Sequence, residues 1–503
     1  MTKIKTYLIY LFIFLLPWQT RWIIFDAKVK GEVFEYGRRC LYGFDVAFLM
    51  LFLLSIFIFF KRKMSKEKFL MSNQTRNPDK NIVVSSLPTG DEMYLGSNQE
   101  IGANRHGMLK LGWQNFFLFV GVVFIFLNIF LAESRMLAVY WWLRIGEAMV
   151  IFYLIKKMSE NKKIKVAWSF VISLAIAAGL GIYQFFTQHI FASKWLGMAS
   201  QNAEELGASV LEVNGERILR AYGSFSHPNV LAGFIVVAMV MLIILKFSIF
   251  NFQLSNIKKE VFYILSVLFI VALFFTFSRA GWLALALLII EYNILYIYNK
   301  KFSIFLPLRQ AGKLQITFFC VFAVLSIMYW PLVQTRLGLN KEPARLEVLS
   351  TQERISGYVE AYQIIKQHPW GVGLGNYTLA MQKISPDREV YDYQPVHNVF
   401  LLIAAELGLG WILVLALSLY CIYKKFSIFS FQFSVFKQKK YFLLPLYFCA
   451  LAMLCLDHFW WTSASGMGAL VFLGGLGVWG LNIVREQENK EKNVLCIKYN
   501  VLW

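Results

Sequence analysis

Residues 261–298 read VFYILSVLFIVALFFTFSRAGWLALALLIIEYNILYIY, two long apolar runs that meet at Ser278-Arg279-Ala280-Gly281. Each run has about 17 residues, close to the length that crosses the hydrocarbon of a bilayer as a helix. A charge at such a junction is costly in lipid, so it either reaches the headgroups at a helix end or serves a function. Arg279 therefore separates two predicted membrane spans and is the first candidate for a functional charge.

The composition extends this interpretation to the whole chain. The 503 residues are 58% hydrophobic and only 16% charged, whereas soluble domains carry about 25% charged residues. The apolar runs lack the alternation of a β-barrel. The sequence predicts an all-α polytopic integral membrane protein, a single membrane domain over 1–503, with about twelve transmembrane helices. The predicted spans are 7–25, 43–60, 114–132, 138–155, 166–186, 228–247, 260–278, 281–298, 315–332, 397–423, 441–457 and 464–484.

Lysine and arginine clusters alternate between the connections and predict the orientation. Lys61-Arg62-Lys63, Lys258-Lys259 and Lys300-Lys301 fall on one side, which the positive-inside rule makes cytoplasmic. Both termini and a polar, flexible insertion at 64–112 are then predicted to be cytoplasmic. Segments 187–227 and 333–396 become outer loops of a cytoplasmic-membrane protein. The net charge of +20 is largely this orientation signal, so we expect a lipid bilayer as partner and no nucleic acid.

The sequence gives no sign of a metal or cofactor. The six cysteines show no CxxC spacing, and no His/Cys cluster supports a zinc site or a disulfide framework. An acidic metal-binding motif is not evident in the predicted outer segments either. We therefore expect no cofactor and no metal.

Two predicted outer segments contain unusual polar residues. The first, just before the span at 228–247, runs from Arg220 to Ser226-His227-Pro228-Asn229. Pro228 suits a first helical turn and Ser226 an N-cap, but helix capping explains neither Arg220 nor His227. These two residues are therefore candidates for function.

The second segment, 333–396, contains an amphipathic helix candidate, Glu353 to His368, which Pro369 ends. Ile355, Tyr358, Tyr362 and Ile365 form its apolar stripe. Gly371-Val372-Gly373-Leu374-Gly375-Asn376 follows without the βαβ context of a dinucleotide site. These glycines therefore predict a tight loop or a close backbone approach to a ligand. His397-Asn398 then stands at the start of the next span.

Arg220, Arg279 and His397 together suggest a chemistry. Guanidinium groups hold phosphate oxygens in bidentate fashion, and an imidazole can take a proton from a hydroxyl. A diphosphate leaving group, a hydroxyl nucleophile and a general base describe glycosyl transfer from a lipid-diphosphate donor. The arginines would then replace the divalent cation that other enzymes use.

The motifs, taken in order, resemble the O-antigen ligase family over residues 220–410. They are Arg220-x-x-Gly223-x-Phe225-x-His227-Pro228-Asn229, Ser278-Arg279-Ala280-Gly281, Pro369-x-Gly371-Val372-Gly373-x-Gly375-Asn376, His397-Asn398-x-x-Leu401 and Glu406-Leu407-Gly408. The resemblance implies a GT-C-like membrane glycosyltransferase with a large periplasmic loop that contains helices. It also implies an undecaprenyl-diphosphate-linked glycan donor and metal-independent, inverting chemistry. By residue, it implies that Arg220, Arg279 and Arg354 bind the diphosphate and that His397 is the catalytic base.

The acceptor and one other class of protein remain open. The acceptor hydroxyl could belong to a lipid A-core (an O-antigen ligase), to another lipid-linked glycan (an O-antigen-type polymerase) or to a protein (an O-oligosaccharyltransferase). A membrane transporter would instead place ionisable residues at mid-membrane, and Glu147 near Arg144 is the candidate. A structural scaffold would leave Arg220, Arg279 and His397 unexplained.

Overall fold

A computed structural model of the protein describes residues 2–76, 119–205, 207–247, 259–300, 308–340, 344–408, 410 and 453–470. The structure is mostly helical, with 69% helix. Its helices, numbered here in chain order, are α1 Thr2–Leu15, α2 Gly43–Arg76, α3 Phe119–Leu131, α4 Arg135–Lys156, α5 Glu160–Thr187, α6 Pro228–Phe247, α7 Lys259–Phe275, α8 Arg279–Lys300, α9 Leu308–Met328, α10 Trp330–Leu337, α11 Arg345–Gln367, α12 Tyr377–Ile384, α13 Val399–Leu407 and α14 Phe459–Thr462.

Apolar helices support a membrane protein, but they do not confirm the count of about twelve spans. Within the described ranges, three helices are long and apolar enough to cross a bilayer, Gly43–Ser65, Arg135–Lys156 and Glu160–Thr187. A fourth candidate, Ile316–Met328 with Trp330–Leu337, bends by 96° at its break. Shorter apolar helices include Pro228–Ile243 and Glu260–Phe275. The spans predicted at 397–423, 441–457 and 464–484 reach beyond the described residues, so the count stays a prediction.

Short strands interrupt the all-α expectation. The first predicted span, 7–25, is wrong at its end, because α1 ends at Leu15, just before Pro17, and a residue that precedes proline disfavours helix. The chain then forms four strands, which are β1 Arg21–Phe25, β2 Lys28–Val29, β3 Glu32–Val33 and β4 Arg39–Tyr42. Strand β1 pairs antiparallel with β4, and β2 with β3.

A second set of short strands lies in the segment 187–227. Its strands are β5 His189–Ile190, β6 Gln201–Asn202, β7 Val210–Val213 and β8 Glu216–Leu219. They form two antiparallel pairs, β5 with β6 and β7 with β8. The β7–β8 turn uses Asn214 and Gly215 at positive φ, the Asn-Gly signature of a tight hairpin turn. The hairpin leads directly to Arg220.

The core centres on α6, which packs against α5, α7 and α8. Nearly all of its described side chains are buried. Helices α7 and α8 are separated by Thr276, Phe277 and Ser278, and Phe277 is fully buried with a φ of 45°. A non-glycine residue rarely adopts that conformation. The surrounding contacts therefore fix this turn, and it aims Arg279 at the start of α8.

The charged pair considered for a transporter belongs to a buried hydrogen-bonded network. Arg144 donates to the side chains of Glu147, at 2.9 Å, and Asp45. It also donates to the carbonyl of Cys40 at 2.6 Å. All three side chains are about 90% buried. This network ties α4 to α2 and to the segment before α2.

Helix α11 confirms the predicted helix at 353–368 and begins earlier, at Arg345. Its packed face differs from the expected stripe. Glu360, Ala361 and Ile364 are buried, whereas Ile355 and Tyr362 are 59% and 65% exposed. The predicted polar insertion begins inside α2, which extends to Arg76. Its remainder, 77–112, lies outside the described residues.

Candidate active site

His397 lies in the turn before α13. Asn398 is the N-cap of that helix, and its side-chain oxygen accepts hydrogen bonds from the amides of Phe400 and Leu401. This cap fixes the backbone next to His397, whose side chain is 23% exposed. The imidazole is therefore held on a rigid helix end and can still be reached by a substrate.

Asp457 is the nearest carboxylate to this imidazole. Its Oδ1 lies 3.6 Å from Nδ1 of His397, within ion-pair range and beyond ordinary hydrogen-bond length. Oδ1 also accepts the amide of His458 at 2.9 Å, and Oδ2 accepts Nδ2 of Asn229 at 3.0 Å. Asp457 is only 5% exposed. The carboxylate is thus fixed from two sides and faces the imidazole.

The imidazole of His397 favours the ionised form of the Asp457 carboxyl group, against the cost of its burial. A buried carboxylate next to an imidazole stabilises the protonated form of that ring. The arrangement can therefore support a histidine that accepts a proton.

Two further histidines border the site as neutral rings. Burial, and then the charge of Arg220, lower the pKa of His227 to about 3. Burial, and then the charge of His397, lower the pKa of His458 to about 3. Nδ1 of His227 accepts the amide of Asn229 at 3.1 Å, so His227 supplies the capping hydrogen bond of α6 that the sequence suggested for Ser226.

Arg220 contacts Asn229 at the start of α6, and three of the five N–H donors of its guanidinium group form hydrogen bonds within the protein. Nε donates to the carbonyl of Thr276 at 2.7 Å, Nη1 to Ser209 Oγ at 2.7 Å and Nη2 to Asn229 Oδ1 at 2.8 Å. The side chain is 4% exposed. Arg220 therefore joins the turn before α8 to Asn229, the partner of Asp457. Its predicted contact with a diphosphate stays a prediction.

Arg279 and Arg336 share one buried carboxylate, that of Glu347. Nη1 of Arg279 is 3.2 Å from Oε2 of Glu347, and Arg336 pairs with Oε1 of the same residue. Nε of Arg336 also donates to the carbonyl of Phe277 at 2.6 Å. The Arg279 side chain is 37% exposed, whereas that of Arg336 is 8% exposed. Arg279 is thus the accessible member, and Arg336 braces the turn that carries it.

Arg354, on α11, is close enough to both this group and the histidines to interact with them electrostatically. Its charge contributes to the lowered pKa of His458 and acts on Arg336 as well. Its Nε is buried and has no hydrogen-bond partner among the described residues. Charge interactions thus connect Arg220, Arg279, Arg336 and Arg354 with one another, and Glu347 pairs with two of them.

The glycine loop before α12 packs closely against its neighbours. Gly371, Gly373 and Gly375 all have positive φ. A Cβ on Gly373 would lie 2.3 Å from Cβ of Ala132, and one on Gly375 would lie 2.0 Å from Cδ1 of Trp141. Glu406, which is buried, accepts the amides of Gly375 and Tyr377 and Nε1 of Trp461. These glycines therefore allow close backbone packing beside the site.

A cavity of about 470 Å³ opens at His397. Its lining includes His227, Asp457, His458 and Glu406, with aromatic side chains on its other walls. The volume lies within the usual range for a small-ligand site, about 300–1,000 Å³. Of the predicted site residues, His397 lines this cavity, while Arg220, Arg279 and Arg354 do not. Charge interactions connect Arg220 with His227 and Arg354 with His458.

One trio in the described chain has the composition of a metal site. Ligand atoms of His397, Asp457 and His458 all lie within 4.8 Å of one another. Nδ1 of His458 is 2.8 Å from Thr462 Oγ1, so this ring would have to offer Nε2. The same residues could also act without a metal, with the Asp457 carboxylate orienting the His397 imidazole. Activity measured after metal is removed with a chelator distinguishes these two arrangements.

Sequence reasoning missed four residues of this cluster. Asp457 is the last residue of the predicted span 441–457, and His458 follows it; this polar pair amid apolar residues could have marked them. Arg336 and Glu347 lie in the long segment 333–396 among other charges, where no local signal separates them. Their pairing depends on the fold that brings α10 and α11 to the turn before α8.

The comparison with protein families agrees with the motifs. Residues 264–418 match the family model described as O-antigen ligase. No curated protein and no solved structure matches the chain. The matched range contains Arg279, Arg336, Glu347, Arg354 and His397. Members of this family are membrane glycosyltransferase-like enzymes. The match confirms, within this range, the resemblance drawn from the sequence motifs.

Proposed function

We propose that this protein transfers a glycan from a polyprenyl (undecaprenyl) diphosphate to an acceptor hydroxyl in cell-surface polysaccharide biosynthesis. The observation that carries the proposal is the placement of His397, 3.6 Å from the carboxylate of Asp457 and in a histidine cluster whose charge interactions extend to Arg220 and Arg354. The family match supports polysaccharide biosynthesis of the O-antigen type. The donor, the direction of attack and the residue roles are parts of the proposal.

His397 is the catalytic base. Its Nδ1 faces Asp457, so Nε2 is the nitrogen that takes the proton of the acceptor hydroxyl. The acceptor oxygen forms a bond to the anomeric carbon as the bond from that carbon to the diphosphate oxygen breaks. The electron pair leaves with the polyprenyl diphosphate. A single displacement of this kind inverts the anomeric carbon. Asp457 is a positioning residue that stabilises the imidazolium as it forms.

Arg279 and Arg354 are the diphosphate-binding residues. Arg279 is partly exposed, and Nε of Arg354 is without a partner among the described residues. The diphosphate gains negative charge as the glycosidic bond breaks, so fixed guanidinium groups stabilise the transition state more than the ground state. Arg220 acts through its hydrogen bonds to Thr276 and Asn229. We propose that it orients the α8 turn and Asp457, with a phosphate contact as the family resemblance implies.

The active site faces the outer side of the cytoplasmic membrane in this proposal, because the lysine-rich connections lie at the opposite ends of the spans. Both termini are then cytoplasmic. A cysteine placed at Tyr391, which is 72% exposed, should react with an impermeant thiol reagent in intact cells. Labelling of that position only after the membrane is opened would reverse the orientation.

Reconstitution tests the reaction and identifies the acceptor. The full chain in proteoliposomes receives a polyprenyl-diphosphate-linked oligosaccharide and, in separate reactions, a lipid A-core, a second lipid-linked glycan or a hydroxyl-bearing peptide. We expect release of polyprenyl diphosphate coupled to glycan transfer onto one of these acceptors, with inversion at the anomeric carbon. Transport of the donor across the bilayer without cleavage would instead favour a transporter and contradict the proposal.

A further inference from the structure

The two-stranded sheet formed by β1 and β4, here called the β1–β4 ribbon, has two unlike faces. On one face, Arg21, Cys40 and Tyr42 line the active-site cavity. On the other face, Trp22 pairs with Leu41, and neither residue is part of the cavity lining. Successive side chains of a strand point to opposite faces, so the alternation separates a cavity side from an outward side. The ribbon is thus one wall of the cavity.

The outward side of the ribbon is apolar and exposed. Trp22 is 52% exposed and its strand partner Leu41 is 46% exposed. Ile24, where the strand register is irregular, is exposed as well. Among the described residues the sheet contains only β1 and β4, so each strand has an edge with no strand beside it. In water, an apolar strand with a free edge is prone to pair with another chain. This surface therefore fits an apolar partner better than bulk water.

The ribbon stands at the start of a membrane helix. Strand β4 ends directly before Gly43, where α2 begins, and α2 is apolar and long enough to cross a bilayer as far as Ser65. The amide of Gly43 donates to the carbonyl of Thr20 at 2.9 Å, which holds the start of β1 at the same level. Trp22 and Leu41 are each two residues from this bond, a distance of about 7 Å along a strand. The polar layer on each side of the hydrocarbon is about 5–8 Å thick, so both side chains reach that layer when α2 spans the bilayer.

A second exposed tryptophan lies beside the start of the ribbon. Trp195 is 82% exposed, and its carbonyl accepts a hydrogen bond from the hydroxyl of Thr20. Gly197, two residues further on, packs against Gln19, where an added Cβ would lie 2.0 Å from the backbone carbonyl carbon. These contacts hold the loop of Trp195 next to the first residues of the ribbon. Tryptophan is enriched where a membrane protein meets the lipid headgroups, and two exposed indoles beside one helix end match that pattern.

The backbone and the charge of the segment fit the headgroup layer and not the hydrocarbon. The N–H and C=O groups of a free strand edge need hydrogen-bond partners, which hydrocarbon lacks and hydrated headgroups supply. Residues 21–42 contain five lysines and arginines against three aspartates and glutamates. This excess of two positive charges attracts anionic lipids.

We propose that the β1–β4 ribbon lies in the headgroup layer of the membrane, with Trp22 and Leu41 directed at the lipid. Its partner is the phospholipid bilayer itself, and the ribbon separates the active-site cavity from that lipid. The inference goes beyond the proposed reaction and does not depend on it, so it can be tested without turnover.

Fluorine NMR of the full chain in nanodiscs that hold one copy tests this position. Trifluoromethylphenylalanine replaces Trp22 in one sample and, as references, Phe52 in the apolar part of α2 or Tyr391 in a charged loop, both exposed. The bilayer contains a phosphatidylglycerol mixture with nitroxides either on the headgroups or at the acyl-chain ends, or a gadolinium chelate is added to the water. The headgroup and chain-end nitroxides lie about 15 Å apart in depth, so they distinguish the two levels.

The fluorine at position 22 should relax at least about twofold faster with the headgroup nitroxide than with the chain-end nitroxide or the chelate, given that separation in depth. The probe at Phe52 should respond most to the chain-end nitroxide, and the probe at Tyr391 most to the chelate. A strongest response to the chelate at position 22 would place the ribbon in water. A strongest response to the chain-end nitroxide would place it in hydrocarbon, and either result overturns the proposal.

Two further samples keep the test independent of one replacement and of oligomerisation. The same probe at Trp195 should also respond most to the headgroup nitroxide, because its loop is held at the start of the ribbon. A strongest response to the chelate there would contradict the shared level of the two tryptophans. In nanodiscs with two copies, the response at Trp22 should stay the same. Its loss on addition of the second copy would mean that another chain covers the ribbon in place of lipid, which would also overturn the proposal.

Discussion

Oδ1 of Asp457 lies 3.6 Å from Nδ1 of His397, while Oδ2 of the same carboxylate accepts a hydrogen bond from Asn229. Asn229 in turn accepts from Arg220. Residues from the start of α6, the start of α13 and the segment before α14 therefore meet in one polar chain. The carboxylate fixes one side of the imidazole and leaves its other nitrogen for a substrate.

Asp457→Asn should slow glycan transfer about 10- to 150-fold, the effect of losing a charged interaction of about 1.5–3 kcal/mol in the transition state. Donor KM should change little. A purely structural role for Asp457 would reduce the amount of folded protein and leave the turnover of the folded fraction unchanged.

Arg279→Lys keeps the positive charge but loses the planar fork that binds phosphate oxygens. We expect kcat/KM for the donor to fall about 10- to 150-fold. Arg345→Lys is the matched control, since the Arg345 side chain is 81% exposed and its nearest carboxylate is 3.9 Å away. Steady-state transfer rates at varied donor concentration measure both. Equal rates in the two variants would remove Arg279 from the diphosphate site.

Low pH should destabilise the folded site through its neutral histidines. The pKa of His458 falls from 6.5 to about 3 on burial, so between these values the unfolded chain binds a proton that the folded chain does not. Stability should therefore fall as pH drops from about 6.5 to 3. His458→Asn should make the fall in the thermal midpoint less steep. His189→Asn, at an exposed position, should leave the slope as it is, and a slope unchanged in both variants would contradict the assignment.

Gly371→Ala should destabilise the site more than Gly338→Ala does. Both glycines have positive φ, which strains any other residue by about 1–2 kcal/mol. A Cβ on Gly371 would also lie 2.4 Å from the carbonyl oxygen of Glu406, whereas a Cβ on Gly338 meets nothing within 4 Å. The difference between the two thermal midpoints measures the clash alone. Equal midpoints would mean that the loop can move away from α13.

The sequence predicted the residues that stand at breaks in apolar runs. Arg279 was found because a charge between two apolar runs is expensive, and His397 because it begins another run. Asp457 offered the same contrast, but its link to His397 spans 60 positions of sequence and exists only through packing. Glu347 escaped notice for a similar reason, because nothing local in a charged helix marks the one carboxylate that two arginines share.

Two further features could not be predicted from the sequence, the short strands and the buried face of α11. Residues 21–25 read RWIIF, an apolar stretch that looks like the end of a span. They form strand β1 instead, because α1 ends at Leu15, before Pro17. The stripe of Ile355 and Tyr362 has helical spacing, yet Glu360, Ala361 and Ile364 form the packed face. Glu360 is buried because Arg388 pairs with it, a tertiary contact that hydrophobic periodicity does not register.

The central claim is that His397 is the base of a metal-independent glycan transfer. The most direct measurement is transfer from a polyprenyl-diphosphate donor in proteoliposomes by His397→Ala and by the matched variant His189→Ala, each with and without EDTA. We predict that His397→Ala loses about 10²- to 10⁴-fold in turnover, that donor binding survives, and that His189→Ala and EDTA have no effect. Unmodified turnover in His397→Ala, or loss of activity with EDTA in the unmutated protein, would contradict the account.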